Sequence, residues 1–149
     1  MRFSGASTVS AMLATAGVDF GKTWVKPSGD SPKDHHANRH IGDCNEAILN
    51  EWGISWDSPL CLGGEWVLQK QHSDSSLTRI KECIVAEFGG STFFAIQDPR
   101  LCALLPLWVK TCIQLDIQAG FVVPLRHPAE VAGILREQYR FSRSKSLAI

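Results

Sequence analysis

Apolar residues recur at helical spacing along most of the chain. Val9, Met12, Leu13 and Ala16 predict a helix over 7–16, closed by Gly17, a residue that readily takes the left-handed conformation after a helix. Ile41, Ala47, Ile48 and Trp52 predict a second, with Asn45, Glu46 and Asn50 on its other face and Gly53 as its stop. The clearest stripe is Leu77, Ile80, Ile84 and Phe88. It predicts an amphipathic helix over 73–88, capped by Ser73 or Ser76 and ended by Gly89-Gly90. A short helix is expected from Leu101 to Leu105. Another opens at Pro106, with Trp108, Val109, Cys112 and Ile113 inward. Ala129 to Tyr139 reads as a helix with Pro128 at its first position, and Leu147-Ala148-Ile149 as the opening of a last one.

Two runs break this period. Thr92-Phe93-Phe94-Ala95-Ile96 and Phe121-Val122-Val123-Pro124-Leu125 are continuous apolar stretches bounded by turn residues, and they predict buried strands. Pro124 removes a ladder hydrogen bond and places the second at an edge or near its end. Between the helices, residues 26–33 (KPSGDSPK) are loop chemistry, and 34–40 (DHHANRH) form a polar, His-rich stretch. Helices alternating with two apolar strands predict an α/β layer fold with a mostly parallel sheet. Ligands of such folds sit at the carboxyl ends of the strands. Both strands run into an arginine there, Arg100 and Arg126. Two guanidinium groups converging on a helix N-terminus suit a phosphate-bearing ligand. The competing expectation is that each is a structural clamp, paired with Asp98 or Glu130.

The helix N-terminus in question opens the chain. Arg2-Phe3-Ser4-Gly5-Ala6-Ser7-Thr8 sets a glycine among small hydroxyl residues just before the first helix. Such a turn aims backbone N–H groups and the positive end of the helix dipole at an anion. No lysine follows as a Walker A loop requires, and an ordinary cap by Ser7 or Ser4 fits the same residues.

Composition narrows the class. The 149 residues, 44% of them hydrophobic, fit one globular domain. Fifteen basic residues balance fifteen acidic ones, which argues against a general nucleic-acid binder. The five cysteines (44, 61, 83, 102, 112) form no C-x-x-C pair and no close Cys/His cluster, so no metal is expected and reduced thiols in a cytoplasmic protein are. No run reaches the ~18–20 apolar residues of a membrane span, and no signal peptide follows Arg2.

Several blocks together form a pattern. Arg2-Phe3-Ser4-Gly5-Ala6-Ser7 resembles a loop of the form H-R-S-G-T-S, and Gly17-Val18-Asp19-Phe20-Gly21 resembles the G-[VL]-D-x-G turn that follows it. Asp30 to Asn38 resembles D-N-P-K-G-x-x-E-N. Gln97 to Trp108 resembles K-D-P-R-L-C-x-L-L-P-x-W, and Arg126 to Leu135 resembles R-H-P-x-E-V-A-x-S-L. In this order the blocks resemble the bacterial sulfotransferase family of the P-loop superfold, whose donor is 3′-phosphoadenosine 5′-phosphosulfate (PAPS).

The resemblance implies a three-layer P-loop-type α/β fold, here incomplete because its first strand is missing. Residues 1–149 would form a single, partial sulfotransferase-like domain. It implies transfer of a sulfuryl group from PAPS to a small-molecule or glycan hydroxyl acceptor. Ser4, Gly5, Ala6, Ser7 and Thr8 would cradle the 5′-phosphosulfate, and Arg126 would hold the 3′-phosphate. Four positions depart from the pattern: Phe3 replaces a basic residue, Ala37 a Glu, Gln97 a Lys and Ile134 a Ser. Arg2 would then stand in for the missing cation. Among His35, His36 and His40, His36 is the expected proton acceptor. The alternative is a catalytically degenerate domain that at most binds nucleotide or a protein partner.

Overall fold

The computed structural model describes residues 3–24, 37–55, 57–58 and 74–148. The helices are α1 (Ala6–Thr15), α2 (Arg39–Glu51), α3 (Asp74–Phe88), α4 (Leu101–Gln114), α5 (Pro128–Tyr139) and α6 (Arg143–Ala148).

Their ends follow local chemistry. Gly17 takes a left-handed φ of 88° just past α1, and Gly53 one of 71° just past α2. Asn38 is extended and caps α2, its side chain accepting from the Ile41 amide at 3.0 Å. Pro128 opens α5 behind His127, whose ring accepts from the Ala129 amide. The last helix starts at Arg143, earlier than the apolar Leu147-Ala148-Ile149 suggested.

Pro106 does not open a helix. It lies inside a continuous α4, where it is exposed, so its ring sits on the solvent side. Leu104, Leu107, Trp108 and Thr111 form the buried stripe, and Ile113 turns outward instead of inward.

The core lies where α2, α3 and α4 meet. Ile41, Ile48, Leu49, Ile80, Leu104 and Leu107 are essentially inaccessible there. Complete burial of one such aliphatic side chain is worth about 1.5–3 kcal/mol. A polar side-chain pair is built into this core: the Trp108 indole N–H donates to Asn45 Oδ1 at 2.9 Å. A smaller buried group, Val131, Ala132 and Leu135, lies on α5.

The expected α/β P-loop-type fold with a mostly parallel sheet is not what the chain forms. Among the described residues the protein is helical, without a sheet; extended pairing is limited to isolated bridges at Asp19–Phe94 and Trp24–Asn38. Residues 92–96 do dock on the core. Phe94 stacks on Phe88 with ring centroids 4.3 Å apart, and the Ala95 amide donates to the Asp19 carbonyl at 2.8 Å. Among the described residues their one ladder-like neighbour is that turn, so they do not extend into a strand.

Phe121, Val122, Val123 and Leu125 are exposed, and only Pro124 between them is half-buried. Val123 is 73% and Leu125 89% exposed, and the backbone of residues 118–126 forms no hydrogen bond with the backbone of another described residue. An apolar run becomes a central strand only when neighbours pair with both of its edges, and this one has none among the described residues.

Candidate functional site

The N-terminal loop is a tight, left-handed turn. Phe3 has a φ of 64° and Gly5 a φ of 101°. Gly5, not Ser4 or Ser7, is the cap of α1, and no side chain supplies the capping bond. Its carbonyl instead accepts from the Thr8 and Val9 amides at 3.1 and 3.3 Å. Space is open where a Gly5 side chain would project, so the glycine is required by backbone conformation and not by a close neighbour. Ser4 is buried beneath the turn. No acidic residue occupies the first turn of α1, so no internal carboxylate competes there for the positive end of the dipole.

Arg126, 123 residues later, comes to this same turn. Its Nη1 donates to the Phe3 carbonyl at 3.4 Å, and its Nε donates to Glu130 Oε2 at 2.8 Å, one helical turn on. That hydrogen bond, with the guanidinium charge, holds the Glu130 carboxyl below its usual range. The Phe3 ring turns to Tyr139 of α5, centroids 6.2 Å apart. The position that the resemblance gives to a cation is thus an aromatic contact between the loop and α5.

Arg100 goes elsewhere. It lies against α2, with Nε donating to Glu46 Oε2 at 2.6 Å and Nη1 to Asp98 Oδ2 at 2.9 Å. Asp98 also accepts from the Arg100 amide at 2.7 Å. This is the structural clamp, and the two arginines do not converge. Gln97 puts a buried Oε1 in a place where no described group donates to it. Ile134 is half-buried on α5. Arg2, His35 and His36 lie outside the described residues, while Ala37 immediately precedes the Asn38 cap.

His40 is not a loop histidine. It belongs to a polar cluster that the sequence reading missed. Glu87, on α3 and only 3% exposed, takes bonds from the Lys22 amide (2.8 Å), the Thr23 amide (2.9 Å), the Thr23 hydroxyl (2.8 Å) and the Asn38 side-chain amide (2.6 Å). His40 Nδ1 lies 3.1 Å from Oε1, the oxygen that also accepts from the Thr23 hydroxyl. Burial alone would raise this carboxyl, but the bonds from Asn38, Thr23 and His40 together hold it at about 2.

The G-V-D-F-G turn serves this cluster. Asp19 Oδ1 accepts from the Gly21 amide at 2.8 Å. A side chain on Gly21, whose φ is 88°, would strike Asn38 and come within 2.8 Å of Glu87. Glu87 thereby ties the turn at 20–23 to the start of α2. The signal was present in the sequence: Glu87 falls three residues after Ile84 and seven after Ile80, on the apolar stripe, where a carboxylate needs partners.

No group of three or more His, Cys, Asp or Glu side chains placed to hold a metal ion occurs among the described residues. No described helix is long and apolar enough to cross a membrane. No protein-family model, curated protein or solved structure matches the chain.

Proposed function

We propose that the chain is a nucleotide-binding, sulfotransferase-like protein that grips the phosphates of PAPS or of its desulfated product PAP without transferring the sulfuryl group. The observation that carries this reading is Arg126 Nη1 at the Phe3 carbonyl, in the turn where Phe3 and Gly5 take left-handed φ at the N-terminus of α1. Ser4, Gly5, Ala6, Ser7 and Thr8 would supply the cradle. Helix dipole and guanidinium then act on the same anion, each contributing a charge-assisted attraction.

Transfer needs more than a grip. A cation must meet the charge that develops on the leaving oxygen, and a base must take the acceptor's proton. Phe3 spends its side chain on Tyr139, and Arg100 spends its charge on Asp98 and Glu46. His40 is turned to Glu87. These placements favour binding over transfer to a small-molecule or glycan hydroxyl.

Titration calorimetry with PAP tests the reading. Saturable binding is expected, and Arg126→Ala is expected to weaken it at least tenfold, since charge-assisted bonds of this kind contribute about 1.5–3 kcal/mol each. Absence of heat at millimolar PAP would refute nucleotide binding. A radiolabelled sulfate-transfer assay on a hydroxyl acceptor should show no turnover, and measurable turnover would overturn the second half of the proposal.

A further inference from the structure

The seam between α2 and α3 holds two cysteines opposite each other. The helices run antiparallel, and their contacts fix the register. His40 meets Glu87 at one end of the seam, and Glu51 pairs with Arg79 at the other. One turn along from His40 on α2 is Cys44, and one turn back from Glu87 on α3 is Cys83. Both thiols are buried in the main core cluster, and the register sets them on facing turns of the seam. Two thiols on facing turns of a packed antiparallel helix pair lie in the range from which a small approach closes an S–S bond.

We infer that Cys44 and Cys83 are a site of reversible oxidation, closed to a disulfide by a peroxide-class oxidant and reopened by a dithiol.

The surroundings divide the labour. The hydrogen bond from the Cys44 thiol stabilises the Cys83 thiolate and lowers its pKa to about 7 against the effect of burial, with the His40 and Arg79 charges assisting and that of Glu87 opposing. The same bond, together with burial and the Asp98 charge, raises Cys44 and keeps it a thiol, against the effect of Arg79. His40, 44% exposed, stands one turn from Cys44 and bonds Glu87 at the end of the seam.

The steps balance. The Cys83 thiolate attacks one peroxide oxygen; an S–O bond forms, the O–O bond breaks, and hydroxide leaves to become water. Cys83 is oxidised by two electrons to a sulfenic acid and the peroxide is reduced. The Cys44 sulfur then attacks the Cys83 sulfur. An S–S bond forms, the S–O bond breaks, and the leaving hydroxide takes the Cys44 proton as water.

The test uses the full chain with the exposed Cys102 changed to serine, so that it cannot link two copies. The protein is treated with hydrogen peroxide, blocked with an alkylating agent under denaturing conditions and mapped by mass spectrometry. The expected product has lost two thiols, carries a linked Cys44–Cys83 peptide, and recovers both thiols with dithiothreitol. Cys44→Ser should leave a Cys83 sulfenic acid that dimedone traps. If Cys44→Ser does not fold, the linked peptide from the parent protein decides alone. Cys44 and Cys83 both fully alkylated after peroxide, or Cys83 driven to an irreversible sulfinic acid with no linked peptide, overturns the inference.

Discussion

The seam between α2 and α3 and the segment at 117–127 are opposites in composition and in fate. The seam brings a carboxylate and two thiols inside the protein, with an exposed imidazole at its end, and yet it lines the main core. The segment is rich in Phe, Val and Leu, yet most of it stands in solvent with no backbone partner among the described residues. Burial follows from partners and not from hydropathy alone. Glu87 is inside because Thr23, Asn38 and His40 satisfy it. Leu125 is outside because nothing described pairs with its backbone.

The sharpest way to break this contrast is to remove the carboxylate. Glu87→Ala leaves the Lys22 and Thr23 backbone amides without their acceptor and takes one bond each from the Asn38 side-chain amide and the Thr23 hydroxyl. It is expected to cost about 3–5 kcal/mol, the penalty for stripping one partner from a buried charged network. Urea unfolding measures it, and a loss within the ordinary surface range would show that the network contributes nothing net.

Acid probes the same group without mutation. Folding lowers Glu87 from its ordinary 4.5 to about 2, so its contribution is fully present above pH 4.5 and is lost as the pH falls toward 2. Stability followed through that window should fall in the parent protein more steeply than in Glu87→Ala. Parallel curves would place the carboxyl in an unperturbed setting. The smallest effect belongs to the other region. Leu125→Ser should change stability by no more than about 0.5 kcal/mol, as a side chain without a burial partner does. A loss near 2 kcal/mol would mean that Leu125 is buried in solution.

The helices were legible because a period of 3.6 with glycine stops is a strong local signal, and α1, α2, α3 and α5 lie close to where the periodicity puts them. The sheet was misread because a short apolar run looks the same whether it is paired or bare. Phe121–Leu125 needed neighbours that no local pattern can report. Pro106 misled for a related reason: a proline inside a helix is tolerated on an exposed face, and exposure is a tertiary property.

Of the candidate site, Arg126 and the opening turn were picked out from separate blocks, and the bond from Arg126 to the Phe3 carbonyl is a tertiary contact that no local spacing reports. The fate of Arg100 was an even choice between ligand and clamp, and Glu46 on α2 decided it. The Glu87 cluster was overlooked because the stripe Leu77, Ile80, Ile84, Phe88 is complete without it, although the position of Glu87 on that same face was in plain view.

Isotope-labelled protein titrated with PAP and followed by amide NMR tests the central functional claim most directly. Binding at the turn predicts saturable shifts at the amides of Ser4 to Thr8 and at the Arg126 side chain, with the amides around Glu87 unmoved. Saturable shifts confined to other residues, or none at millimolar PAP, would contradict it.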